Sequence, residues 1–258
     1  MRLLWEQEVQ GSNPCTPTIF ESILSPDELG HWTTNNMKLY HSYNLDIANT
    51  YIIYVPASDV SVSMATRCLQ SCMKIKQKAE LWEGFDGRGN DIVPPEHLIG
   101  QSWLEWFRVT DHRLSRTEVA CALSHISLWI KCIELDQPIV ILEHDAIMVK
   151  PYTHHDIYNA ISYLGCVEQY TGQYNTNYPE AQKSSINKNW HFIHRAHAYS
   201  IDPAVARKMV INVLDRGIFE SLDIMIKSDD YALYQMGFYA YEKNEGQTTI
   251  FSRKKDED

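Results

Sequence analysis

The sequence has no apolar run approaching the roughly 20 residues that span a bilayer, so a transmembrane helix is excluded. The opening MRLLWEQEVQGSNP has neither a long apolar stretch nor a cleavage site, and a secretory signal is not expected. No C-x-x-C pair occurs among the six cysteines, Cys15, Cys68, Cys72, Cys121, Cys132 and Cys166, which argues against a zinc site. Cys68 and Cys72 lie one helical turn apart, and Cys121 and Cys132 share a second helix. That is the pattern of reduced, buried thiols in a reducing compartment, so a cytoplasmic location is expected. Basic residues are scarce: 23 Lys and Arg face 33 Asp and Glu, a net charge of −10. This argues against nucleic acid or an anionic membrane as the main partner. Any anionic substrate would need a metal or local arginines to offset that field. Internal repeats and interdomain linkers are also missing.

What is present is a chain of 258 residues with 44% hydrophobic content, enough for one large domain. Its organising stretch is Thr117 to Val149. Val119, Ala122, Leu123, Ile126, Ile130 and Ile133 recur at helical spacing, with Thr117 and Glu118 suited to the start. Asp136-Gln137-Pro138 stops that helix. The unbroken run Ile139–Leu142 then reads as a strand covered on both faces, as in a parallel sheet. Glu143-His144-Asp145 follows at the strand's carboxyl end, where ligands of open α/β sheets bind. An exposed acidic turn and a ligand site are both compatible with these three residues. If the strand continued, alternation would place Glu143 and Asp145 on one face and turn His144 outward.

Residues 1–48 read as an extension packed on the domain, 49–252 as the domain itself and 253–258 as a charged tail. A βαβ start is predicted from a strand at 51–55, a helix at 60–77 and a strand at 79–82. The helix's apolar face is assigned to Val62, Ala65, Leu69, Cys72, Met73 and Ile75. Gly84 to Asn90 is a glycine-rich turn, and a plain surface turn is preferred over a loop with Asp86 facing a ligand. Trp103, Trp106 and Phe107 are expected in the core rather than as a sugar platform, and Arg108, Arg113 and Arg116 in solvent. Thr153-His-His-Asp156 has the form of a capping box and predicts a short helix, leaving His154 and His155 exposed. A strand is expected near 161–166 and a long loop over 168–190. His191, His194 and His197 would fall on opposite faces of a strand, which makes a three-histidine metal site awkward. Asp202-Pro203 starts a helix that Gly217 ends, and Phe238–Tyr241 is read as the last strand.

Several of these stretches resemble glycosyltransferase family 25, which includes lipooligosaccharide and collagen galactosyltransferases. Thr117-Glu118-Val-Ala-Cys-Ala-Leu-Ser124-His125-Ile-Ser-Leu-Trp129 resembles its G-E-x-G-C-x-L-S-H-x-x-x-W helix. Leu142-Glu143-His144-Asp145-Ala146 resembles L-E-D-D-V, Phe85-Asp86-Gly87 its A-x-D-G, Ala196-His197-Ala198-Tyr199 its T-H-A-Y, and Ser221-Leu222-Asp223 its P-V-D. Two departures stand out. The acidic triplet is Glu-His-Asp, and Val55-Pro56-Ala57 replaces the family's start after the first strand, with Arg67 as a possible basic substitute.

The resemblance implies an α/β fold: a Rossmann-like GT-A domain with a mostly parallel central sheet. It implies transfer of a hexose, galactose among them, from a nucleotide-sugar donor, a UDP-sugar by expectation, to a hydroxyl of a glycan or other acceptor. Asp86, Gly87, Ser124, His125, Glu143 and His197 would contact the donor, Glu143 and Asp145 would hold Mn²⁺ or Mg²⁺, and Asp223 would serve as base. Asp223 read without the family is a helix cap. Two other functions compete: a non-catalytic relative that binds sugar or protein, and a metal-dependent hydrolase, which would need a second ligand cluster.

Overall fold

A computed structural model describes residues 44–100, 102–165, 182–183, 193 and 195–243. The chain divides into two units at Tyr43 and Asn44. The first unit, most of the 168–190 loop, His191, His194 and the 253–258 tail lie outside the described residues. Ile47 and Ala48, at the end of the 1–48 segment, donate their amides to Thr153 O and Pro138 O and so are tied to the domain.

The sequence builds β1 (Asn49–Tyr54), α1 (Asp59–Lys74) and β2 (Ala79–Glu83) as a βαβ unit. After β2 come a 3-10 turn at Glu96–Leu98, α2 (Trp103–Trp106) and the long α3 (Arg116–Leu135). β3 (Ile139–Glu143), β4 (Ala146–Met148), β5 (Ile161–Tyr163), β6 (Gln182–Lys183) and β7 (Ala198–Ile201) follow. The chain continues through α4 (Pro203–Arg216), α5 (Leu222–Met225), β8 (Leu233–Gln235) and β9 (Ala240–Glu242).

Among the described residues, seven strands form one sheet in the order β2-β1-β3-β7-β5-β8-β6. β7 and β6 run against the other strands, so the sheet is mostly parallel. This is the α/β, Rossmann-like arrangement expected. Because β7 is reversed beside β3, the carboxyl end of β3 meets the amino end of β7, and Leu142 pairs with Ala198. β4 leaves this sheet and pairs with β9 in a separate two-stranded ribbon.

α3 is the central helix. Ser115 is its cap: Oγ accepts the Glu118 amide at 3.2 Å, and Glu118 Oε2 accepts the Ser115 amide at 2.8 Å. Asp136, left-handed at φ 49°, ends it ahead of Pro138. The expected apolar stripe is buried except for Ile133, which is half-buried in the last turn, but so are Ser124, His125, Ser127 and Trp129, because α3 packs on α4 while also touching β1, β3 and α5. A helix enclosed in this way is buried on nearly every face. No helix among the described residues is long and apolar enough to cross a membrane.

Two local expectations are corrected. The face of α1 turned inward is Ser61, Met64, Ala65, Cys68, Ser71 and Cys72, whereas Met73 is 68% exposed and Val62 is also exposed. Its serines are tolerated inside because each has partners: Ser61 Oγ accepts the Val55 amide, and Ser71 Oγ accepts the Met148 amide and donates to Cys68 O. The 153–156 segment forms no helix. His154 bridges to Asp46 and is exposed as expected, but His155 is fully buried, with Nδ1 on Ser200 Oγ at 2.9 Å and Nε2 3.4 Å from Asp202.

Asp202 joins these parts. Its buried carboxylate accepts the Ala204 and Val205 amides at the start of α4 and the Ala160 amide ahead of β5. Asp202→Ala removes a helix cap and orphans a buried donor, so it should cost about 2–4 kcal/mol. Urea unfolding checks this; a loss under about 0.5 kcal/mol would contradict it.

Candidate active site

β3 ends at Glu143, and His144 and Asp145 form a tight turn into β4. Alternation along an extended strand therefore does not orient the triplet, and the expectation built on it is corrected. Other elements hold the segment. The Glu143 amide donates to His197 O at 3.0 Å, and Asp145 O accepts the Lys243 amide at 2.8 Å. Ala146 pairs with Glu242 across the β4–β9 ribbon, which brings the end of the domain to the triplet.

The result is a crowd of carboxylates. Glu143 keeps a side chain that is 25% exposed, yet its pKa is pushed up to about 8, first by desolvation and then by Glu242 and Asp223, with Arg195 opposing. Asp145, 9% exposed, is raised well above the carboxylate range by burial and by Glu143 and Glu242. Its Oδ1 has no hydrogen-bond partner. An unsatisfied carboxylate oxygen beside other acids is costly, and a cation relieves both burdens at once. These hard oxygen donors fit a divalent ion such as Mn²⁺ or Mg²⁺. Some positive charge is already present: Arg195 pairs with Glu242, and Arg67 donates to Lys243 O. Burial and Arg67 lower the His144 pKa to about 4, so its imidazole is neutral.

Sequence reasoning missed Glu242 and Arg195. Both reach the triplet only through the β4–β9 pairing and the turn before β7, and neither has a local signature.

The expected donor contacts divide into two groups. Ser124 Oγ donates to Ala120 O and accepts the Phe85 amide at 2.8 Å, clamping the glycine turn to α3. A Cβ at Gly84 would fall 2.8 Å from that Oγ, and one at Gly87 only 2.3 Å from Arg116 O. These glycines therefore serve close backbone approach to α3. Asp86 pairs with Arg88 at 2.6 Å, which holds its carboxyl below the usual range, and its backbone bridges to Val93. Trp103 and Phe107 are buried as expected, with Trp103 against Phe85. Arg108 donates to Asp215 O, Arg113 pairs with Asp111, and Arg116 opens α3 with an exposed side chain.

Glu143, His125 and His197 form the second group. His197 is buried, bonds through Nδ1 to Arg195 O at 3.1 Å, and leaves Nε2 without a hydrogen bond. Gly165 leaves room for that ring, since a Cβ there would lie 2.4 Å from Nε2. His125 is fully buried and held at about 3 by desolvation, hence neutral. Its Nδ1 meets Tyr199 Oη at 2.7 Å, and Trp129 Nε1 donates to the same oxygen at 2.9 Å. His125 Nε2 lies 3.5 Å from Glu143 Oε1.

Asp223 stands in the first turn of α5. The cap position belongs to Ser221, and Asp223 Oδ1 accepts Ser221 Oγ at 2.8 Å and the Ile224 amide at 3.1 Å. Its charge acts on both Glu143 and Cys121, which puts it at the same end of the sheet.

The family profile described as Glycosyltransferase family 25 (LPS biosynthesis protein) matches residues 64–226, more than half of the chain, from within α1 to just past the end of α5. No curated protein matches the chain.

Proposed function

The chain belongs to glycosyltransferase family 25, and from that premise we propose that it transfers a hexose from a nucleotide-sugar donor, a UDP-sugar first among them, to a saccharide hydroxyl, assisted by a divalent cation at Glu143 and Asp145. The observation that carries the cation is the buried Asp145 carboxylate, whose Oδ1 has no partner and whose neighbours are Glu143 and Glu242. A bound Mn²⁺ or Mg²⁺ would supply Lewis-acid neutralisation of the charge that builds on the departing diphosphate. Arg195 and Arg67 offset part of the same negative field and keep an acidic site open to an anionic donor. Asp223 is the candidate to hold the acceptor's proton. The family's description with LPS biosynthesis suggests a glycan acceptor. The free thiols Cys68, Cys72, Cys121 and Cys132 suit a cytoplasmic setting.

A second reading, a relative that binds sugar or protein without turnover, draws on one residue: His144 stands where the family resemblance has an aspartate. Binding and turnover separate the two. Donor binding should be at least about tenfold tighter in Mn²⁺ than in chelator, measured by titration calorimetry. Equal affinity in both would remove the cation from Glu143 and Asp145.

A further inference from the structure

α3 delivers a second donor set to the same strand end. Cys121 and His125 are one helical turn apart on α3, the i, i+4 spacing that lets two side chains of one helix grip one ion. The Cys121 Sγ, a His125 ring nitrogen and a Glu143 carboxylate oxygen all lie within 4.8 Å of one another. His125 is fully buried, and its Nε2 faces Glu143 at 3.5 Å without making a hydrogen bond. That separation is long for a charge-assisted hydrogen bond. It is close to the roughly 3.3 Å edge of a tetrahedron whose metal–nitrogen and metal–oxygen bonds are about 2.0 Å. Burial and the negative charges of Glu143, Asp223 and Asp145 raise the Cys121 thiol, so the metal must displace its proton, and the same negative field favours a cation there.

We propose that Cys121, His125 and the Glu143 oxygen facing His125 bind one thiolate-preferring divalent metal of the Zn²⁺ class, with a fourth position open to water or a ligand, the other Glu143 oxygen being left to the ion shared with Asp145. The chemistry of the three donors selects the ion: a thiolate and an imidazole suit Zn²⁺, whereas an oxygen-only set suits Mn²⁺ and Mg²⁺. With the imidazole proton on Nδ1, Tyr199 Oη accepts both His125 Nδ1–H and Trp129 Nε1–H, and the Nε2 lone pair is free for the metal. The absence of C-x-x-C spacing hid this site, because its third ligand comes from a strand rather than from the same helix. The competing arrangement puts the Tyr199 proton on Nδ1 and the imidazole proton on Nε2 facing Glu143, and it leaves no ligand nitrogen.

The site needs neither donor nor transfer, so its test is independent of the transferase reading. Metal-free full-length protein is titrated with Co²⁺ and followed by absorption. The expected result is a single equivalent showing a thiolate-to-cobalt charge-transfer band with the intense visible bands of a four-coordinate ion, all displaced by Zn²⁺. Cys121→Ser, at a position only partly buried, should remove the charge-transfer band and weaken Zn²⁺ binding by more than about tenfold. Asp145→Asn should leave the band in place. A wild-type spectrum without a charge-transfer band, or a band that survives in Cys121→Ser, overturns the proposal, and the first of these outcomes does not depend on any variant folding.

Discussion

The Asp145→Asn protein should lose turnover on the order of 10³-fold while its metal-free fold becomes more stable. The two effects have opposite signs for one reason. Asp145 sits buried with an unpartnered Oδ1, and burial, Glu143 and Glu242 all raise its carboxyl. A group whose pKa is raised on folding destabilises the fold at pH values where the unfolded chain would ionise it. Asparagine has the same shape and no charge to desolvate, so the metal-free melting temperature should rise. Once the charge is gone, the cation loses a ligand and the reaction its neutralising field. His144→Ala removes a neutral imidazole from the turn and should cost far less activity. Turnover and melting curves on both variants check this. A less stable Asp145→Asn protein, or one as active as His144→Ala, would contradict it.

The second large effect concerns Asp223. Asp223→Asn should lower turnover by about 10²–10⁴-fold, the range of a positioned general base, with donor affinity and melting temperature nearly unchanged. The structure sharpens the comparison. Oδ1 accepts Ser221 Oγ and the Ile224 amide, and an asparagine oxygen has the lone pairs to accept both. Ser221, not Asp223, holds the cap of α5. A purely structural Asp223 therefore predicts an Asn variant that works. Retained turnover would leave the base unassigned.

The large elements were legible because each carries its own local code. The β-branched run before Glu143 forms β3, and Asp202-Pro203 with Gly217 brackets α4 as read. The triplet's place at the carboxyl edge of the sheet was also readable. Its geometry was not. Strand alternation stops at Glu143 because the chain turns there to pair β4 with β9, and that register of Ala146 with Glu242 joins residues far apart in sequence. Strands of three residues such as β4 and β8 carry too little periodicity to announce themselves, while the last strand, read at Phe238–Tyr241, forms at Ala240–Glu242. The capping-box pattern at 153–156 failed for a related reason. Ser200 and Asp202, on β7 and at the start of α4, offer His155 a buried pair of partners that outweighs a local helix start. In α1, hydrophobic spacing pointed to Val62 and Met73, but the buried face contains serines whose hydroxyls serve backbone groups of neighbouring segments. Cys121 and His125 were visible as helix neighbours, and only the packing of α3 beside β3 shows that Glu143 joins them.

The most direct test is a panel of nucleotide sugars incubated with the full-length protein, in Mn²⁺ and in chelator, with released nucleoside diphosphate as the readout. A cation-assisted glycosyltransferase predicts release from at least one donor in Mn²⁺ and its collapse in chelator. Release that is equal with and without metal would contradict the cation's role at Glu143 and Asp145. Metal-dependent donor binding with no release from any sugar, even with saccharide acceptors present, would contradict the enzyme itself and leave a binding protein on a transferase fold.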